Sequence, residues 1–233
     1  MNEPTAPGAP LPLPPDDRAG MPWSVVIPVK GGDHAKTRLQ APDGVDHSRL
    51  ATALALDTVA AAAGTVGAGQ VVVVTGDPSI AGQVAALGVV VVDDPGGGLN
   101  PAIAAGVAHL AAHATDGGVA VLLGDLASVR PADLATALYA AVTHPRAYVP
   151  DADDSGTVLL TSTTQGRLVP RFGGRSDEAH RRAGFVRLDL DLPHLRRDVD
   201  DEVSLRAALC LGVGQHTAAL LAHLMVPDRS PTA

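Results

Sequence analysis

Four short runs, Trp23 to Val29, Val71 to Thr75, Val89 to Val92 and Val119 to Leu123, are almost continuously β-branched or aliphatic. A strand with one wet face alternates apolar and polar residues, whereas a strand covered on both faces does not. These runs are therefore predicted to be parallel strands sandwiched between helices. The stretches between them supply the helices. Leu50, Leu54 and Val59 line one apolar stripe, Ile103, Val107 and Leu110 a second, and Leu134, Leu138 and Val142 a third. Pro131 stands where a first-turn proline would, and Asp133 lies near the positive end of the dipole. This alternation predicts an α/β fold: one domain with a mostly parallel sheet and helices on both faces.

After Pro150 the rhythm changes. Thr157 to Thr161 is β-prone, an arginine- and glycine-rich loop follows, then Val186 to Leu190, and Asp201 to Leu211 returns to helix. Nothing linker-like separates this half, so it is read as an extension of the same sheet that includes an antiparallel strand. The domain is placed at 23–225, between a proline-rich, disordered tail over 1–22 and a short tail over 226–233.

Composition narrows the functions open to such a domain. A formal charge of −8 opposes long-range attraction to nucleic acids and anionic lipid. Aromatic residues are too few for base-stacking platforms. Cys210 is the single cysteine, which excludes an intrachain disulfide and a cysteine metal cage. The opening residues lack the pattern of a signal peptide, and Gly, Asp or Arg interrupts every apolar run, so no bilayer-spanning segment is expected. The expectation is a cytoplasmic protein that binds neither nucleic acid nor membrane.

In open α/β sheets ligands bind beyond the carboxyl ends of the strands. The loop after Val29 holds both lysines, Lys30 and Lys36, with Arg38. Cations among glycines at a strand end suit phosphates, although a solvated basic loop reads the same way. Asp93 to Asn100 includes three consecutive glycines. Asn100 could face a base edge with a donor and an acceptor, or cap the following helix. Asp125 follows an apolar strand, where a hard cation would find an oxygen ligand, or where a turn would place an aspartate. Asp198 and Asp200 are spaced to point the same way in extended backbone and so could share one ion, unless Asp200 caps the next helix. Between these acids lie Arg167, Arg171, Arg175, Arg181, Arg182 and Arg187, with Gly173, Gly174 and Ser176 among them. They compose an anion cradle or a solvated basic face.

Several mechanisms lack their signatures. Ala35 and Lys30 occupy the glycine positions of a P-loop, and neither the dinucleotide glycine pattern nor a Gly-x-Ser-x-Gly elbow occurs. The nine histidines show no metal-ligand spacing and are read as surface or incidental.

Taken in order, these motifs resemble a known family. Val26-Ile27-Pro28-Val29-Lys30, Ala35-Lys36-Thr37-Arg38-Leu39, Gly98-Leu99-Asn100-Pro101-Ala102-Ile103, Leu123-Gly124-Asp125-Leu126, Gly156-Thr157, Pro170-Arg171-Phe172-Gly173 and Asp198-Val199-Asp200 are similar to the guanylyltransferases of deazaflavin coenzyme F-420 biosynthesis. That family acts on phosphoenolpyruvate in bacteria and on 2-phospho-L-lactate in archaea. The resemblance spans about residues 22 to 225. It implies a nucleotide-diphospho-sugar transferase-like (Rossmann-like) fold and a magnesium-dependent transfer of GMP from GTP. It also implies Asp125, Asp198 and Asp200 as metal carboxylates, and Lys30, Lys36, Arg38 and Asn100 facing GTP, with Lys36 also catalytic. Thr157, Arg171, Gly173 and Ser176 would bind the acceptor. Three places depart from the family's pattern: Ala127 for a proline, Asp154 for a glycine, and Gly174-Arg175 for a Pro-Asp-like pair. Two of these fall in the acceptor loops, so they bear on acceptor choice.

A composition rich in Ala, Gly, Val and Arg points to a GC-rich bacterial genome and hence to phosphoenolpyruvate as acceptor. The product would be enolpyruvoyl-2-diphospho-5'-guanosine. Alternatives are 2-phospho-L-lactate, 3-phosphoglycerate or, more remotely, the molybdenum cofactor as acceptor, and a nucleotide-binding regulatory module without turnover. A homodimer and a handover to the next transferase of the pathway stay open.

Overall fold

The computed structural model describes residues 20–31, 41–42, 44–113, 117–164 and 168–222. Lys36, Arg38, Arg167, almost all of the N-terminal tail and the C-terminal tail lie outside the described residues. Among the described residues, β1 (Trp23–Pro28), β2 (Val71–Thr75), β3 (Val90–Asp93), β4 (Gly118–Leu122), β5 (Arg146–Pro150), β6 (Thr157–Ser162) and β7 (Val186–Arg187) form one sheet in the order β3-β2-β1-β4-β6-β5-β7. The β1–β2, β1–β4 and β2–β3 pairs are parallel, with Val26 opposite Val72 and Val25 opposite Ala120. β6 is antiparallel to both β4 and β5, and β5 is parallel to β7. The four strands read from continuous hydrophobicity lie within one residue of expectation at each end. β5 was not anticipated, because a run of five residues opening on Arg146 carries little pattern of its own.

Helices α1 (His47–Val66), α2 (Pro78–Ala85), α3 (Leu99–Ala112), α4 (Pro131–Ala141), α5 (Ser176–Arg182), α6 (Pro193–Arg196), α7 (Glu202–Leu211) and α8 (Gln215–Leu220) complete the fold. Their starts follow local chemistry. The Asp46 carboxylate accepts from the Arg49 amide, and Asp77 accepts from Ser79 and Ile80 ahead of Pro78. Asp201, not Asp200, caps α7: it accepts from the Ser204 amide, and Ser204 Oγ accepts from the Asp201 amide. The stretch read as a loop around Arg181 contains α5. Asp177 and Glu178 in its first turn and His180, Arg181 and Arg182 in its last complement the helix dipole.

Adjacent strand residues point to opposite faces, and each face has its own core. Val25, Ile27, Val71, Val73 and Leu122 pack with α1, α2 and α4, while Val26, Val72, Val74 and Val121 pack under α3. Gly106 lets α3 approach closely, since a Cβ there would lie 2.5 Å from Val26 Cγ1. α1 is long and apolar enough to pass for a membrane span by length and composition, which the sequence reading did not expect. Here it is a core helix: Leu50, Leu54 and Val59 are fully buried, each side chain contributing about 1.5–3 kcal/mol. A third cluster joins Leu50 and Leu54 to Ala127, Val199, Leu205, Ala208 and Leu221, and so ties α7 and α8 to the end of the sheet that carries the chemistry.

Candidate active site

β2 and β3 lie on one side of β1 and β4 on the other, so the crevice beyond the carboxyl ends of β1 and β4 is a topological switch point. A cleft of about 540 Å³ opens there. Val29 still bonds to the sheet, its amide donating to the Val74 carbonyl at 2.8 Å, and Lys30 leaves the strand end into the cleft wall. From β4 the chain passes through Gly124 to Asp125. There the Leu126 amide donates to Thr58 Oγ1 at 3.0 Å, and Thr58 in turn donates to the Leu54 carbonyl. The body of α1 thus sets the path of the acidic loop.

Asp198-Val199-Asp200 crosses the same crevice. The Val199 amide donates to the Asp125 carbonyl at 3.2 Å, and the Val199 side chain is fully buried in the third cluster. Asp198 and Asp200 flank that anchor, and both line the cleft with Asp125. Three carboxylates more than 70 residues apart in sequence at the extremes therefore share one cavity. Among the described residues no three His, Cys, Asp or Glu side chains close a metal cage by themselves. That is compatible with magnesium, whose shell waters and substrate phosphates complete, and the all-oxygen donor set suits a hard cation.

The adjoining wall belongs to β6, the neighbour of β4 in the sheet. Because β6 runs antiparallel, its first residue, Thr157, lies at the ligand edge, and the Leu123 amide donates to the Val158 carbonyl at 3.0 Å. Ahead of it, Asp151 accepts from the Ser155 amide at 2.9 Å, and a Cβ on Gly156 would fall 2.3 Å from Asp151 Oδ2. Asp154 has φ of 57°, a left-handed conformation that favours glycine. Its carboxylate holds Arg187 at 2.7 Å and Arg196 at 2.6 Å. The hydrogen bond from Arg187 keeps its pKa below the usual carboxylate value. Arg187 also binds Asp177 and Asp189, and the bond to Asp189 is the main cause of its raised pKa. Asp177 accepts from the Tyr148 hydroxyl at 2.8 Å, and burial, then that bond, pushes Tyr148 up to about 12.

Gly173, Gly174, Arg175 and Ser176 close the cleft, so Lys30, Asp125, Thr157, Gly173, Ser176, Asp198 and Asp200 are brought together. Arg171 and Asn100 are not on the wall. Arg171 is exposed, and of the described arginines in its cluster only Arg175 borders the cleft, because α5 carries Arg182 outward and Arg187 is held by three carboxylates. Asn100 does not cap α3, where Gly98 takes that place. Its Nδ2 donates to the Phe172 carbonyl and its Oδ1 accepts from the Phe172 amide, both at 2.9 Å. Asp151, Ser155 and Asp57 were missed by the sequence reading. Asp57 is buried in α1 and caps α8 by accepting from the amides of His216 and Thr217. Nor are all histidines incidental: His180 is fully buried beside Thr157. A larger groove of about 750 Å³ between α1, α2 and α8 gathers no carboxylates.

A mostly parallel sheet that gathers carboxylates and a lysine over its switch point suits a metal-bound polyphosphate, and the class this fold and site match is the nucleotidyltransferases. Residues 48–199 match the family model described as a MobA-like NTP transferase domain. A phosphoenolpyruvate guanylyltransferase from Streptomyces avermitilis is 47% identical over 211 residues, covering 89% of this chain and 97% of that one. One from Geodermatophilus obscurus is 49% identical over 207 residues, with 85% and 94% covered. The chain belongs to this family of guanylyltransferases within the MobA-like NTP transferases. The fold is shared with a nucleotidyl transferase from Methanothermobacter at a TM-score of 0.55 and 17% identity, covering 82% of this chain and 98% of that one. A putative nucleotide-diphospho-sugar transferase from Desulfovibrio desulfuricans has a TM-score of 0.53 at 17% identity, with 81% and 96% covered.

Proposed function

We propose that the protein transfers GMP from GTP to phosphoenolpyruvate, releasing pyrophosphate and forming enolpyruvoyl-2-diphospho-5'-guanosine for coenzyme F-420 biosynthesis. The observation that carries this reading is the meeting of Asp125, Asp198 and Asp200 with Lys30, Thr157 and Ser176 in one cleft. The names of the relatives support the acceptor, and the bacterial composition agrees with it.

A phosphate oxygen of the acceptor attacks the α-phosphorus of GTP in line. The bond between that phosphorus and the oxygen bridging to the β-phosphate breaks, and pyrophosphate leaves with its electron pair. No general base is needed, since a phosphate monoester with a second pKa near 6 is mostly dianionic at neutral pH. The task is to hold two polyanions together. Asp125, Asp198 and Asp200 would hold magnesium, which neutralises phosphate charge when bound. Lys30 offsets charge on the nucleotide, joined in this reading by Lys36 and Arg38. Thr157, Gly173 and Ser176 orient the acceptor, with backbone and hydroxyl groups directed at its anionic oxygens.

The test is incubation of purified protein with GTP, magnesium and, separately, phosphoenolpyruvate, 2-phospho-L-lactate and 3-phosphoglycerate, followed by mass analysis of the products. The expected outcome is pyrophosphate release with a guanylylated product in the phosphoenolpyruvate arm. A product only with another ester would reassign the acceptor. GTP binding without turnover in every arm would leave a nucleotide-binding module.

A further inference from the structure

The buried ring of His180 contacts the cleft from behind. It lies among Tyr148, Phe172 and Phe185, with ring centroids 6.1, 5.0 and 5.5 Å away. Its Nε2 accepts from the Arg171 amide at 3.1 Å, and its Nδ1 lies 2.9 Å from Thr157 Oγ1. These contacts settle the tautomer. A backbone amide can only donate, so Nε2 is unprotonated and the single proton of the neutral ring sits on Nδ1. That proton goes to Thr157 Oγ1, which therefore accepts.

The Thr157 hydroxyl still has its own proton to place. Among the described residues His180 is its one hydrogen-bond partner, and Thr157 lines the cleft. We infer that His180 is a positioning residue: it holds the Thr157 hydroxyl as an acceptor on the buried side and so presents its proton to an anionic oxygen of the acceptor substrate. The inference rests on reading this wall of the cleft as the acceptor pocket. The same ring anchors the start of the segment from Arg171 to Gly174, so one side chain orients two walls of that pocket. Burial, followed by the positive charge of Arg171, lowers its pKa to about 4. The ring stays neutral near pH 7, which suits a fixed donor rather than a proton shuttle.

His180→Gln places an amide near the Arg171 amide and leaves none near Thr157, while Thr157→Val removes the hydroxyl. Each is expected to raise the KM for phosphoenolpyruvate by about tenfold or more, as loss of a hydrogen bond to an anion does, with the KM for GTP changed less than about twofold. In the Thr157→Val background, His180→Gln should add nothing to the acceptor KM, because the group it orients is gone. Thr157→Ser, which keeps the hydroxyl, should recover most of the loss seen in Thr157→Val. Additive effects in the double variant, or equal rises in both KM values, would overturn the inference in favour of a purely structural histidine. Turnover by the unaltered protein separately tests the proposed function. The ¹⁵N spectrum of the imidazole tests the tautomer without any turnover: a proton on Nε2 would sink the proposal whatever the enzyme's activity.

Discussion

At the scale of single residues, identity is less informative than what each polar atom already holds. Asn100 commits both atoms of its carboxamide to the Phe172 backbone, 72 positions away. It therefore clamps the helix after the glycine run to the loop that closes the cleft, with one N–H and one oxygen lone pair engaged there. Asn100→Ala is expected to lower stability by about 1–3 kcal/mol, the cost of stranding two backbone groups, and to leave the preference for GTP over ATP unchanged. Competition assays with the two nucleotides check this, and a lost preference would return Asn100 to base recognition. Asp198 differs because it lines the cleft beside Asp125 and Asp200. Asp198→Asn should reduce pyrophosphate release by about a hundredfold or more with the thermal unfolding curve preserved, and near-normal turnover would remove it from the mechanism.

Among elements, the link from β5 to β6 shows how a wall of the cleft is braced. The turn at Asp154 is held to α6 through Arg196 and to α5 and β7 through Arg187, while the Asp177 amide donates to the Ser155 carbonyl at 3.3 Å. Asp154 is more than half exposed, so its pairs are screened and contribute little each. Asp177 is mostly buried, and its carboxylate depends on Arg187 and Tyr148. Arg187→Met is therefore expected to destabilise by about 1–3 kcal/mol, chiefly by leaving Asp177 without its cation, and to raise the acceptor KM more than the GTP KM. Urea unfolding and steady-state kinetics measure the two effects. Unchanged stability would show that the network adds nothing to the fold.

For the whole molecule, His180 couples the fold to pH. Its pKa falls from 6.5 to about 4, through burial first and the Arg171 charge second, against the opposing pull of Asp177. Between those values the unfolded chain takes up a proton that the folded protein refuses. The histidine's contribution is thus complete above pH 6.5 and is lost as pH falls towards 4, amounting to about 3 kcal/mol. Denaturant unfolding at several pH values should show this decline, and His180→Gln should flatten it. Parallel slopes for the two proteins would assign the decline to other groups.

Much of the architecture was legible along the chain, and so was part of the site. Unbroken runs such as Val71 to Thr75 announce burial on both faces, and the loops after Val29 and Leu123 carry the lysine and the aspartate that the cleft receives. Local pattern suffices there because strand burial and helix periodicity are set by neighbours a few residues away. Topology decided the rest. The reversal of β6 brings Thr157 to the ligand edge, Asn100 reaches across to the Phe172 backbone, and α5 turns His180 inward while carrying Arg182 out. No local window contains these outcomes, because each depends on contacts between segments that only the folded sheet brings together: β6 with β4, His180 with Thr157, and Asn100 with Phe172.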